Sequence, residues 1–156
     1  MKILEDQYEL VKDSRSVLLD YCQSISNSDF IKPVNTFGRG GTIRNLLTHI
    51  TNTYKFWIGE NILKKEMIYP DYSSVNNVTD VIDLFDDVNK IMQDFFAEFF
   101  EKENLKIEYE INGKKGVSDP HRIFLHAITH EFHHKGQILS LSRNLGYIPI
   151  DTDIMR

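Results

Sequence analysis

The sequence predicts an all-α four-helix bundle with a short β-hairpin or loop before its last helix. Four long stretches carry apolar residues at helical spacing, and the connections between them are short. One stretch alone changes to a two-residue alternation, and it runs into Asn112-Gly113, a strong hairpin-turn pair. The 156 residues suit a single domain over 1–156. A chain of that size buries roughly 68–70% of its unfolded surface, enough for a proper core.

The first helix is expected from about Ile3 to Ile25. Leu4, Tyr8, Val11, Leu18, Cys22 and Ile25 recur at spacings of three, four and seven, and Asn27-Ser28-Asp29 breaks the pattern. Residues 30–41 read as a loop, because Pro33 restricts its predecessor and Gly38, Gly40 and Gly41 are poor helix formers. Thr42 caps a second helix from about Ile43 to Leu63. Its apolar face collects Leu46, His49, Ile50, Thr53, Phe56 and Trp57 within roughly 100° of arc, so His49 lies inside the apolar stripe. Tyr69-Pro70-Asp71 opens the next loop.

A third helix starts near Asn77 or Thr79. Val81, Leu84, Phe85, Val88, Ile91, Met92, Phe95 and Phe99 form its seam, which reads as core packing. Ile107, Tyr109 and Ile111 then alternate with Lys106, Glu108 and Glu110, and the resulting hairpin must lean on the bundle to be stable. Asp119 as cap and Pro120 at the first helical position announce the fourth helix, which runs to about Asn144 before Gly146. Pro149 keeps the tail 147–153 extended.

Composition narrows the function classes. At 41% hydrophobic and 26% charged, the chain is globular, and its net charge of −5 argues against a nucleic-acid binder working through a basic footprint. The single Cys22 sits in an apolar helical pattern and forms no internal disulfide, as expected of a reducing compartment. No apolar run reaches about 18 residues, and the N-terminus is mixed and charged. The expectation is a cytoplasmic protein that does not engage membranes.

Five of the six histidines fall within residues 121–134. His126, His130 and His134 follow one another at i, i+4, i+8 on one helix face. The outer two are about 12 Å apart along the axis, so one ion takes at most two of the three. Helical projection puts His130 and His134 in the middle of the face marked by Ile123, Ala127, Ile138 and Leu141. His126 and His133 fall at its edges, and His121 points away. Two buried imidazoles side by side need their ring nitrogens satisfied, and one cation does that for both. His49 on the second helix completes a three-histidine shell with an open position.

Residues 130–134 also read literally as H-E-x-x-H, in which Glu131 would be the general base of a zinc hydrolase. That motif needs a further ligand downstream. Only Asp151 or Asp153 is available, with no helix to present it, so the protease reading is disfavoured.

The block from His126 through His130, His134, Gly136, Gln137 and Ile138, followed by Leu145-Gly146-Tyr147 and Asp151-Thr152-Asp153, resembles the DinB-like family. Thr42 to Ile50, with His49 and the later pair Phe56-Trp57, matches in the same order, so the resemblance covers nearly the whole chain. It implies a DinB/YfiT-type four-helix bundle, often a homodimer, that holds zinc or nickel through His49, His130 and His134. Some relatives are thiol S-transferases using a low-molecular-weight thiol. The resemblance therefore implies a metal-dependent transferase acting on a small-molecule substrate. A hydrolase using Glu131 and a non-enzymatic, stress- or DNA-damage-inducible binding protein are the alternatives. The hairpin matches no family motif and is expected to shape the pocket mouth.

Overall fold

The computed structural model describes residues 2–35, 38–99 and 105–156; Thr36 and Phe37 of the expected loop lie outside the described residues. Helix α1 spans Lys2–Gln23, α2 Asn27–Phe30, α3 Ile43–Tyr54, α4 Val78–Glu98 and α5 Pro120–Asn144. Strands β1 (Ile107–Ile111) and β2 (Lys114–Ser118) stand between α4 and α5. The four long helices form the bundle: α1 packs on α4 and α5, and α3 packs on the same two, so α1 and α3 occupy opposite corners.

The helix starts follow their sequence signals. Thr42, Asn77 and Asp119 each sit in extended backbone and accept from the amide three residues on, Asn45, Asp80 and Arg122 respectively. The hairpin turns on Asn112 (φ 51°) and Gly113 (φ 73°), both left-handed, which suits the right-handed twist of its strands. Its register pairs Tyr109 with Gly116. Buried Ile107 and the edge-to-face contact of Tyr109 with Trp57 anchor it to the bundle.

Two local elements differ from the expectation. Asn27–Phe30 forms one helical turn instead of a break, because the Ser26 hydroxyl caps it by accepting from the Asp29 amide. The second helix is regular only to Tyr54, and Lys55–Ile62 is wound as a π-helix. Leu63 N–H donates to the Ile58 carbonyl at 2.9 Å, and the Asn61 side chain occupies the Phe56 carbonyl at 2.8 Å. The wider turn leaves Phe56 and Trp57 half-buried, while Ile58 and Ile62 go into the core. Such segments are rare and cluster at functional sites.

The core is aliphatic and aromatic along most of its length, with Leu18, Leu46, Ile50, Met92, Phe95, Phe124 and Ile138 fully enclosed. Among the described residues, Lys55 of the π-helical segment is buried and donates to the Ile68 carbonyl at 3.1 Å, and charges of α1 and α5 enter the core at two further places. Arg15 of α1 meets Glu131 of α5. Lys135 of α5 donates to the Ser14 hydroxyl and, at 2.9 Å, to the Thr152 carbonyl, which Ser14 also binds. The C-terminal tail is thereby fastened across α1 and α5, and Tyr147 adds a second tie at 2.8 Å from its hydroxyl to Asp29. Among the described residues, no helix is long and apolar enough to cross a membrane.

Candidate metal centre

α3 and α5 pack side by side, and their facing surfaces bring three imidazoles together. His49 Nε2 lies 3.1 Å from His130 Nε2, and His130 Nε2 lies 3.0 Å from His134 Nε2. All three ligand atoms fall within 4.8 Å of one another. His134 is buried, and His49 and His130 are half-buried with their rings edge to face.

The proton count in this cluster does not close. His134 Nδ1 sits 2.7 Å from Gln137 Oε1, an acceptor, so the ring proton of neutral His134 belongs on Nδ1 and its Nε2 is bare. If His130 Nε2 carries a proton, it donates to His134 and has no lone pair for His49. If it is bare, two lone pairs face each other at 3.0 Å. A cation accepts all three lone pairs and removes the conflict. With metal–nitrogen bonds of about 2.0–2.1 Å, tetrahedral geometry spaces the nitrogens about 3.4 Å apart, a few tenths of an ångström from the two short spacings seen.

Protonation cannot relieve the conflict near neutrality. Burial, followed by Arg39 and the neighbouring rings, holds His49 down at about 3. Burial and the adjacent His134 hold His130 at about 4, and burial also lowers His134. The rings are therefore neutral and available as ligands. Gln137 fixes the His134 ring and, through its amide nitrogen, reaches His133 Nε2 at 3.1 Å. Such outer partners set ring orientation at metal sites.

The remaining histidines fall elsewhere. His121 is exposed. His133 is exposed and engages only the edge of the cluster, through Gln137 and ring contacts with His130 and His134. His126 meets Trp57 edge to face, at 5.2 Å between centroids, and His130 with tilted rings, at 5.4 Å.

Glu131 turns away from solvent and is 1% exposed. Arg15 donates to both of its oxygens, Nε to Oε1 and Nη2 to Oε2, each at 2.8 Å, and Tyr54 donates to Oε2 at 2.7 Å. The H-E-x-x-H reading would make Glu131 a general base; its carboxylate is instead enclosed and committed to three donors. Burial is the largest single influence on Arg15 and would lower its pKa, but the charge and hydrogen bonds of Glu131, together with Tyr8 and Tyr54, hold the guanidinium above its ordinary value. Arg15 also lies 4.3 Å over the Phe85 ring and 3.1 Å from Asn89 Oδ1, so it touches α4 as well.

Sequence reasoning did not single out Arg15. The signal was present, since Arg15 fills the empty step between Val11 and Leu18 in the inward stripe of α1. Cys22 is fully enclosed, and burial pushes its thiol up to about 12.

Residues 2–156 match the sequence family described as the DinB family. No curated protein matches the chain.

Proposed function

The chain belongs to the DinB family, and on that premise we propose that it is a divalent-metal-dependent enzyme of the thiol S-transferase type, using zinc or nickel held by His49, His130 and His134. The observation that carries the reading is the all-imidazole donor set, whose ring nitrogens converge with too few protons to satisfy one another. Neutral imidazole suits both metals.

When bound, the cation supplies Lewis acidity that lowers the pKa of an arriving thiol and favours the thiolate. The protein's own side chains do the rest. Gln137 holds the His134 ring by its Nδ1–H, and α3 and α5 hold His49 opposite the pair on α5. Cys22, enclosed and with a raised pKa, is not available as the nucleophile. The sulfur must come from a low-molecular-weight thiol. That sulfur forms a bond to carbon of the small-molecule electrophile, the leaving group departs with its electron pair, and the thiol proton passes to solvent. The donors already on Glu131 speak against a hydrolytic general base at that position.

The test is a conjugation assay of zinc- or nickel-reconstituted protein with a panel of small thiols and chlorodinitrobenzene. The expected result is turnover that disappears with chelator and in His134→Ala. Turnover indifferent to both would overturn the reading. The same proposal takes the protein as a homodimer, and sedimentation showing only monomer at micromolar concentration would remove that part.

A further inference from the structure

The sole tryptophan, Trp57 of the π-helical segment, stands between two rings from other elements. Tyr109 of β1 lies 5.0 Å from it and His126 of α5 lies 5.2 Å from it, both edge to face. These rings wall a cavity of about 270 Å³ completed by Ile111, Arg122 and Ile123. The His126 ring stands next to His130, so the cavity adjoins the three-histidine cluster. A void of about 150 Å³ already holds a benzene ring. This one therefore has room for a ring and a polar substituent.

Charge selects the substituent. The lining is aromatic and aliphatic apart from Ser118 and His126, and its one fixed charge is the Arg122 guanidinium. Among the described residues that guanidinium joins no salt bridge, and only the Arg122 backbone amide is engaged, by Asp119. Arg39, on the loop before α3, bears on His49, His130 and His134 from its own side and also joins no salt bridge among the described residues. In a chain of net charge −5, one cation without a salt bridge thus lines this cavity and another bears on the adjoining histidines.

We infer that the cavity binds a small, flat organic carboxylate, with its anionic group on Arg122 and its unsaturated body against Trp57 and Tyr109. Arginine offers a carboxylate a planar, two-pronged donor, and the rings offer the apolar face. The inference rests on the proposed metal-dependent reaction for the ligand's fate, though not for its binding.

Trp57 reports on the cavity directly, since no other tryptophan contributes emission. Benzoate and its neutral analogue benzamide are titrated against metal-free and zinc-loaded protein, with zinc binding measured separately by calorimetry. Benzoate is expected to quench Trp57 saturably in both forms, with benzamide and the Arg122→Gln variant each about tenfold weaker or worse. Arg122 is exposed, so that variant keeps the fold. Equal affinity for benzoate and benzamide, or full affinity in Arg122→Gln, overturns the inference. So does absence of quenching in protein that binds zinc, and the metal reading then stands alone. Benzoate binding that depends on Arg122 in protein that takes up no zinc supports the cavity and removes the metal reading.

Discussion

Tyr54 Oη lies 2.7 Å from Glu131 Oε2. Tyr54 ends the regular helix that carries His49, and Glu131 follows His130 directly, so this one bond ties together the two helices that supply the imidazoles. Arg15 completes the tie from α1 and rests on Phe85 of α4, so all four bundle helices meet at one buried ion pair.

That junction predicts a graded series in urea denaturation. Tyr54→Phe removes one hydrogen bond to a charged group and is expected to cost about 1.5–3 kcal/mol. Glu131→Gln leaves the Arg15 charge buried without its counterion and is expected to cost about 3–5 kcal/mol. Replacing the pair together, as Arg15→Met with Glu131→Leu, should recover most of that loss, because neither charge is then stranded. A double variant no more stable than Glu131→Gln would show that the pair does not act as a unit.

Gln137 predicts a change in metal affinity with little change in fold. Gln137→Leu removes the acceptor of His134 Nδ1–H and frees the ring to rotate or change tautomer. Zinc affinity by calorimetry is expected to fall about 10–100-fold. His121→Ala, far out on the exposed face, should leave affinity unchanged.

The depressed histidine pKa values set the acid behaviour of metal-free protein. Unfolded chains take up a proton at each histidine near pH 6.5, whereas His49 and His130 in the fold wait until about 3 and about 4. Between those limits the unfolded state binds more protons, so stability rises with pH and is lost as pH falls below about 6.5. Midpoint denaturant concentration measured from pH 7 to 4 should drop in the wild type and drop less in His49→Ala with His130→Ala. Equal slopes in the two proteins would contradict the burial of these rings.

Cys22 gives a fourth prediction. With the thiol enclosed and pushed up to about 12, native protein should not react with Ellman's reagent at neutral pH, and denatured protein should release one equivalent. Rapid labelling of the native state would place Cys22 at the surface instead.

Local chemistry was legible in the sequence because it acts over a few residues. Thr42, Asn77 and Asp119 cap where their side chains can reach an amide three positions on, and Asn112-Gly113 turns where two left-handed residues are needed. The inward placement of His130 and His134 followed from the apolar positions around them on one helix. The π segment was not legible, since the apolar stripe read at regular helical spacing runs through Phe56 and Trp57 and leaves Ile58 and Ile62, the residues that enter the core, about 100° off it. The choice depends on packing against α4, α5 and β1. Arg15 could have been placed on the inward stripe of α1, but its pairing with Glu131 could not be read, because the two partners are 116 positions apart and meet only when the bundle closes.

The fastening of Lys135 to the Thr152 carbonyl makes the last turn of chain a structural part of the bundle. Trimming by a carboxypeptidase that stops at Asp153 would leave the ammonium its acceptor and go unnoticed. Removal of Thr152 would leave a buried positive charge beside Phe132 with the Ser14 hydroxyl as its remaining acceptor, and the loss would be felt at once in α1, because that same hydroxyl donates to the Thr152 carbonyl.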